Sequence, residues 1–321
     1  MEIIGEIILS TNNATLVIAS KKRSTFGKLS FSDKAFHIIN YTLTISFTLI
    51  VLYPLLWALS ASFSSSEAII RGNVWLWPVN PTVVAYKAAF SRPALITGFF
   101  NSVFYTAGSI CVTVPLILIS AYPMSRRDLP GRYIFIIFFT ITMFFGGGMI
   151  PNYLLIRSLG MMNTPLAVIV PFSFSCYNMI IARTYFYSNI PDELLEAAKM
   201  DGCGDVYFFL SVVVPLSKPL IAVMVLFCAV GNWNSYMNNL LYFTDTKLFG
   251  LQMVLRELLF ALTMTQEQKD MMDPDRLAAM EDVSRLLKFS VIYIGAAPML
   301  ILYPFIQKFF VKGVMIGAIK G

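Results

Sequence analysis

The sequence predicts an all-α membrane protein with six transmembrane helices, and three observations support that prediction. Hydrophobic residues make up 57% of the 321 residues and charged residues only 13%, whereas soluble domains average about 45–50% and about 25%. The mean hydropathy is +0.70. Six stretches contain no Asp, Glu, Lys or Arg, and each approaches or exceeds the ~20 residues with which a helix crosses a bilayer: 35–66, 93–125, 133–156, 158–182, 219–244 and 289–307.

The third and fourth stretches are separated only by Arg157, so a single long buried hairpin is the competing interpretation. Each of the two stretches contains a segment that is rich in glycine, asparagine and proline: 146–152 in the third and 160–165 in the fourth. Such residues punctuate helices and mark turns. They favour two separate spans that are joined by a short outer link.

Lysine and arginine residues predict the orientation of the spans. Cytoplasmic segments carry an excess of positive charge, and long loops weigh little in this rule. With the N-terminus inside, most basic residues beyond the one long loop fall in inner segments. Both termini are therefore predicted to be cytoplasmic, with residues 1–34 as an extension, 35–311 as the six-helix domain and 312–321 as a tail. Acidic residues precede any basic residue at the start, which is unlike a signal peptide.

The outer loop, residues 245–288, holds eight acidic and six basic residues. A short amphipathic helix is expected around residues 252–264. The loop as a whole is expected to be a docking surface, because its balanced charge suits a transient, salt-sensitive contact with a partner protein.

Several classes of function do not fit the sequence. His37 is the only histidine, so neither a metal centre nor a His-based catalytic site is indicated. The charge-free stretches offer no ionisable group for an ion-coupled carrier. Basic residues are scattered, not clustered with aromatics, so nucleic acid is not a predicted partner. The cysteines lack metal-ligand spacing and are interpreted as packing residues: Cys111, Cys176, Cys203 and Cys228.

Residues 190–215 predict an elbow of two helices around a glycine on the inner side of the membrane. Pro191 suits a first helical position, and Asp192 complements the helix dipole there. Gly202 suits the left-handed residue that ends a helix. A second helical run is expected from Asp205 and is expected to end at Pro215. An amphipathic segment that lies on the membrane surface is the alternative.

The elbow resembles the EAA loop of binding-protein-dependent ABC importer permeases, whose pattern is EAA, three residues, G, nine residues and I-x-L-P. Valines replace the isoleucine and the leucine, and the matching positions are Glu196, Ala197, Ala198, Gly202, Val212, Val214 and Pro215. The resemblance covers roughly residues 36–321. It implies the type I importer (MetI-like) permease fold, with six transmembrane helices and a cytoplasmic coupling helix.

Three other segments, 145–151, 229–234 and 311–321, resemble the branch of carbohydrate permeases that serves complex oligosaccharides and polysaccharide fragments. The tail is also similar to that of the smaller permease of the maltodextrin importer. This resemblance implies import of oligosaccharides or polysaccharide fragments. A permease for amino acids or peptides is the alternative.

The family resemblance also implies a set of partners in the bacterial cytoplasmic membrane. These are a second homologous permease, an ABC ATPase dimer, an extracytoplasmic solute-binding protein and membrane lipid. The sequence contains no GxxxxGK[ST] phosphate loop. The chain is therefore expected to bind no cofactor and to catalyse no reaction, while its partner ATPase uses ATP and Mg²⁺.

In the resembling permeases the EAA helix seats in a cleft of the ATPase. The resemblance therefore assigns a charge pair to Glu196 and close packing to Ala197 and Ala198, and the coupling site is completed by Asp201, Gly202 and Pro215. It also implies that the tail reaches the ATPase interface through Gly317, Lys320 and Gly321. A disordered cytoplasmic end is the alternative for the tail.

Residues 232–239 have the composition of a sugar-binding surface, since aromatic faces stack on pyranoses and amides bond to their rims. On a continuous helix Trp233 and Tyr236 share a face, and this aromatic stripe is predicted to line the substrate path. Further candidates are Asn232, Asn234, Asn178 and Asn152. An interfacial aromatic belt with hydrogen bonds between helices is the alternative. The glycines 146–148 suit either a gate hinge or tight packing.

Overall fold

The computed structural model describes residues 30–261 and 274–318, and every regular element in those ranges is helical. Two of these elements are not α-helical: a π-helical segment, Phe209–Val213, and a 3₁₀ turn, Thr246–Leu248. The α-helices are α1 (Phe31–Ser62), α2 (Ser66–Ile70), α3 (Val84–Phe90), α4 (Pro93–Ser125), α5 (Arg132–Phe144), α6 (Met149–Ser158), α7 (Leu166–Ile169), α8 (Cys176–Asn189), α9 (Asp192–Met200), α10 (Asp205–Phe208), α11 (Val214–Leu216), α12 (Lys218–Trp233), α13 (Met237–Tyr242), α14 (Leu251–Ala261) and α15 (Pro274–Ala318).

Three helices in the described ranges are long and apolar enough to cross a membrane: α1, α4 and residues 280–304 of α15. Two bent pairs of helices raise that number to five if each pair is one broken span. The helix α4 coincides residue for residue with the charge-free stretch 93–125. The first predicted span is helical as far as Ser62. The last is helical throughout, and α15 extends well beyond 289–307 at both ends.

The other predicted spans are not single helices. The stretch 133–156 bends by 108° between α5 and α6, where the glycines 146–148 lie and Gly148 has a φ of +81°. The stretch 158–182 contains only the short α7 and the first half of α8. Left-handed Gly160 and Asn163, together with Pro165 and Pro171, interrupt it. The stretch 219–244 breaks after Trp233, between α12 and α13.

The chain divides into two compact units, residues 1–58 and residues 59–321. The described part of the first unit is the helical segment 30–58, whose apolar side chains are largely exposed. Two threonines bond to carbonyls one turn earlier: Thr44 Oγ1 donates to Asn40 O at 2.8 Å, and Thr48 Oγ1 donates to Thr44 O at 2.7 Å. These bonds satisfy the hydroxyls within the helix, so they suit an apolar surrounding.

The second unit packs around α4, which contacts α7, α8, α12 and α14. One face of α4 carries small polar residues at helical spacing, and all of them are buried: Ser102, Thr106, Ser109 and Thr113. Small side chains let helices approach closely within a membrane. Ser109 Oγ also donates to Asn232 Oδ1 of α12 at 3.1 Å.

The predicted outer loop 245–288 is largely helical in its described part. Its helix α14 buries Leu251, Leu255 and Leu258 against the core, and residues 274–288 belong to α15. The prediction of a helix near 252–264 is confirmed as far as residue 261, and residues 262–273 lie outside the described ranges. One face of α14 packs inward, while Glu257 and Phe260 on the same helix are exposed. That the loop docks a partner protein on the outer side stays a prediction.

The start of α14 is fixed by side chains from two other helices. Ser102 Oγ of α4 accepts from Leu251 N at 2.8 Å, and Asn239 Oδ1 of α13 accepts from Gly250 N at 2.9 Å. Both bonds satisfy donors that a helix N-terminus leaves unpaired. A Cβ at Gly250 would lie 2.9 Å from Ser102 Oγ, so the close approach requires glycine.

Candidate functional site

The predicted elbow is present, and its first helix is α9. Pro191 precedes the helix as its N-cap and is not its first residue, a shift of one position from the prediction. Gly202 has a φ of +76°. The N–H of Cys203 donates to Ala198 O at 2.8 Å, and the N–H of Gly202 donates to Lys199 O at 3.1 Å. This Schellman motif confirms that the glycine ends the helix.

The two sides of α9 have different surroundings. Leu195 and Ala198 are half-buried and pack against the core cluster of α4, α8 and α12. The opposite side is exposed and carries Glu193, Glu196, Ala197 and Met200. No hydrogen bond or ion pair within the described part of the chain involves Glu196. Of the motif residues, Glu196, Ala197, Asp201 and Gly202 are thus available to a partner.

The second arm of the elbow differs from the prediction. The chain passes from α10 through the π-helical segment into α11, so the helix does not end at Pro215 but continues to Leu216. Pro215 lacks an N–H and its ring crowds the carbonyl four residues earlier, which favours a local change of helical pattern. The bend of 79° follows at Ser217. Phe208 and Val213 are buried and anchor this arm in the core.

Three consecutive residues after α4 hold the elbow by its charged side chains. Arg126 Nε and Nη2 donate to the two carboxylate oxygens of Asp128 at 2.8 and 2.5 Å, and Arg126 Nη1 donates to Asp205 Oδ1 at 2.5 Å. Lys199 Nζ lies 3.4 Å from Asp128 Oδ2. We call residues 126–128 and their partners on the elbow the charge clamp; these partners are Asp192, Lys199 and Asp205.

A further pair of the charge clamp joins Arg127 Nε to Asp192 Oδ2 at 3.3 Å. The Arg127 guanidinium also lies 5.3 Å from the centre of the Tyr187 ring, a cation–π distance. Within the clamp, hydrogen bonds from Arg126 hold the pKa of the Asp128 carboxyl well below its usual range. Asp128 therefore stays ionised at neutral and mildly acidic pH.

A cavity of about 230 Å³ lies between α9 and the ends of α4 and α8. Its lining includes Tyr122 and Ser125 of α4, Phe186 of α8, and Asp192 and Leu195 of α9. No residue of α9 is fully buried. The helix is held by the ion pairs of the charge clamp at its two ends and by the packing of Leu195 and Ala198 between them.

The structure places the predicted substrate-path residues in different surroundings. Trp233 is only 2% exposed, its Nε1 donates to Gly295 O at 2.8 Å, and its ring meets Phe99 edge to face. The helix ends at Trp233, so Tyr236 does not share a helical face with it. Choosing Trp233 as a sugar-stacking residue is therefore wrong in this structure, because other helices of the same chain already enclose it.

The predicted asparagines are also separated. Asn232 bonds to Ser109 and to Cys228 O of its own helix, which matches the alternative of bonding between helices. Asn234 Nδ2 donates to Val230 O at 3.0 Å and is exposed. Asn178 is half-buried on α8, and Asn152 is exposed on α6. Trp233 and Asn232 are thus engaged with other parts of the helix bundle, whereas Asn234 and Asn152 are exposed.

The helix α14 contributes a residue that the sequence analysis did not single out. Arg256 is half-buried, and its guanidinium lies 5.5 Å from the centre of the Tyr236 ring and 4.7 Å from that of Phe260. No carboxylate among the described residues pairs with it. The sequence shows that Arg256 lies one helical turn before Phe260. Its contact with Tyr236 could not be found in this way, because Tyr236 lies at the start of α13.

The predicted tail begins within α15. The backbone of α15 is helical through Gly317 to Ala318, so it crosses the predicted boundary at 311 without a break. Lys320 and Gly321, like residues 1–29, lie outside the described residues.

The family described as "Binding-protein-dependent transport system inner membrane component" matches residues 99–316, a range that contains the elbow and the charge clamp. The chain belongs to this family. Family membership makes it a multi-pass transport permease with the helical MetI-like fold, and not an ATPase. The resemblance that the EAA loop suggested is thus confirmed.

Relatives of this permease cover nearly its whole length. The "Polygalacturonan/rhamnogalacturonan transport system permease protein YtcP" of Bacillus subtilis is 36% identical over 90% of this chain and 99% of its own. The "Arabinooligosaccharides transport system permease protein AraQ" of Halalkalibacterium halodurans is 30% identical over 88% and 98%. A solved bacterial ABC transporter "involved in the import of the acidic polysaccharide alginate" has a similar chain, with a TM-score of 0.77 and 31% identity over 88% and 99%.

Proposed function

We propose that this permease forms, with a second homologous permease, the membrane path of an ATP-driven importer of oligosaccharides. An ABC ATPase dimer would hydrolyse ATP on the cytoplasmic side, and an extracytoplasmic solute-binding protein would deliver the sugar. The topology that goes with this proposal has six spans in the bacterial cytoplasmic membrane, both termini inside, and the elbow as the coupling helix. In this topology the stretches 133–156, 158–182 and 219–244 are broken spans, and the second arm of the elbow lies on the cytoplasmic side.

The observation that carries the proposal is the exposed side of the elbow. Glu196 and Ala197 lie on it without a partner in the described part of the chain, and large apolar side chains flank them: Met200 is 87% exposed, Val206 74% and Tyr207 69%. Apolar groups that remain exposed beside charged ones are typical of a protein interface. The ATPase is the partner that the EAA pattern implies for this surface.

We further propose acidic oligosaccharides as the substrate class. Two of the similar proteins carry names that refer to polygalacturonan and to alginate. Within this chain, Arg256 offers a guanidinium with no carboxylate partner among the described residues, framed by Tyr236 and Phe260. Guanidinium groups bind carboxylates through paired hydrogen bonds, and aromatic rings stack on sugars. A uronate-containing sugar carries both a carboxylate for the guanidinium and an apolar ring face for an aromatic side chain.

The test uses the importer purified with its partner permease, ATPase and binding protein, and measures ATP hydrolysis with different solutes. Pectin-derived oligogalacturonides are expected to stimulate hydrolysis, neutral maltodextrins less so and amino acids not at all. Arg256→Gln should weaken the response to oligogalacturonides by about tenfold, since a hydrogen bond to a charged group is lost, and Arg71→Gln on α2 serves as the control. Stimulation by amino acids alone would contradict the proposal.

A further inference from the structure

The charge clamp connects the elbow to the central helix of the core. Residues 126–128 follow α4 directly, since α4 ends at Ser125. Each of the three binds a different point of the elbow: Arg126 binds Asp205 at the start of α10, Arg127 binds Asp192 at the start of α9, and Asp128 binds Lys199 near the end of α9. Both ends of α9 and the beginning of the second arm are therefore tied to one short turn.

Arg126 is the central member of the clamp. Its side chain is only 15% exposed, whereas the side chains of its partners Asp128 and Asp205 are 48% and 62% exposed. It makes three short charge-assisted hydrogen bonds in the fork geometry that only a guanidinium provides. Its carbonyl accepts from Arg132 Nη1 at 3.1 Å, so the same residue also closes the turn onto α5.

The clamp adds a charged link to the packing of Leu195 and Ala198 against the core. A cavity of about 230 Å³ lies between the first half of α9 and the ends of α4 and α8. A displacement of α9 over this cavity must either break the ion pairs or carry the turn with it. Because α4 contacts α7, α8, α12 and α14, movement of the turn would reach most of the core.

We infer that the charge clamp transmits movement of the elbow to α4 and α5, with Arg126 as the positioning residue for coupling. This inference rests on the proposed function, in which the ATPase drives the elbow. Arg126 itself does not contact the ATPase or the sugar in this account. It acts by holding Asp128 and Asp205, and through Asp128 it holds Lys199.

The test measures the number of oligogalacturonide molecules imported per ATP hydrolysed in vesicles that contain the complete importer. Arg126→Gln is expected to lower this ratio about tenfold, because hydrogen bonds to a charged group are lost, while the ATPase still co-purifies in the normal amount. Arg126→Lys keeps the charge without the fork and should recover part of the ratio. A role in folding alone would lower the amount of complex and leave the ratio unchanged.

The exposed partners decide the outcome if Arg126→Gln fails to assemble. Asp205→Asn and Lys199→Gln each remove one contact of the clamp, and both are expected to lower the ratio. Arg71→Gln, which removes the exposed pair between Glu67 and Arg71 on α2, is the control. A wild-type ratio in both Asp205→Asn and Lys199→Gln overturns the clamp. If the wild-type importer takes up no oligogalacturonide when its ATPase hydrolyses ATP, the proposed function itself is overturned.

Discussion

Replacing Glu196 with lysine is expected to abolish ATP-driven uptake while the chain still inserts in the membrane. Glu196 lies on the exposed side of α9, so the substitution leaves the fold intact. If its carboxylate pairs with a basic group in the ATPase cleft, reversing the charge costs about 2–5 kcal/mol of interface free energy. A loss of 2 kcal/mol already corresponds to roughly a 30-fold weaker complex. The measurement is co-purification of the ATPase together with sugar uptake.

The control for Glu196→Lys is the same charge reversal at an exposed helical glutamate far along the chain. Glu67 on α2 forms an exposed ion pair with Arg71 one turn away, and pairs of this kind contribute about 0–1 kcal/mol. Glu67→Lys should therefore leave uptake and ATPase binding unchanged. If Glu196→Lys retains both at the wild-type level of permease, the elbow is not the ATPase dock.

Replacing Trp233 with alanine is expected to destabilise the permease itself. The side chain is 2% exposed, its Nε1 donates to Gly295 O across to α15, and Phe99 of α4 meets its ring. Removing a buried tryptophan leaves a cavity and costs about 3–5 kcal/mol. Trp233→Phe keeps most of the volume but loses the donor, so its cost should be nearer 1–3 kcal/mol, about what an unmade hydrogen bond costs.

Thermal unfolding of the detergent-solubilised importer measures this effect, with Trp77→Ala as the matched control. Trp77 is 82% exposed, so its removal should not lower the unfolding temperature. If Trp233→Ala unfolds like the wild type and loses only its response to sugar, Trp233 contacts the substrate and the assignment as a packing residue is incorrect.

The sequence predicted α4 residue for residue because charged residues bound it on both sides, Arg92 before and Arg126 after. The same criterion failed for 158–182, where no charge marks the breaks. There the interruption comes from left-handed Gly160 and Asn163 and from two prolines. A stretch without charged residues indicates apolar surroundings, but it does not show that the helix is continuous.

The elbow was predictable because its signals are local. Acidic residues at the start of a helix and a glycine at its end lie within one turn of the features that they determine. The prediction for the second arm was less accurate, since Pro215 changes the helical pattern without ending it. A proline in the sequence shows that one backbone N–H donor is missing. Whether the helix ends there depends on how the surrounding core packs.

The charge clamp and the burial of Trp233 were not predictable in the same way. In the sequence, Arg126 and Arg127 indicate only the orientation of the spans, because their partners Asp205 and Asp192 lie far along the chain. The partner of Trp233 is the carbonyl of Gly295 on α15. Every residue has such a carbonyl, so the sequence does not indicate which one accepts the bond. Both features depend on which helices meet, which only the fold determines.

A photo-crosslinker placed at Met200 tests most directly whether the elbow docks the ATPase. Met200 is 87% exposed at the end of α9, and Trp77, 82% exposed on a different segment, is the matched control position. In cells that contain the whole importer, the crosslinker at position 200 is expected to capture the ATPase subunit, and the one at position 77 is expected not to. Capture of the solute-binding protein or of lipid alone from position 200 would contradict the account.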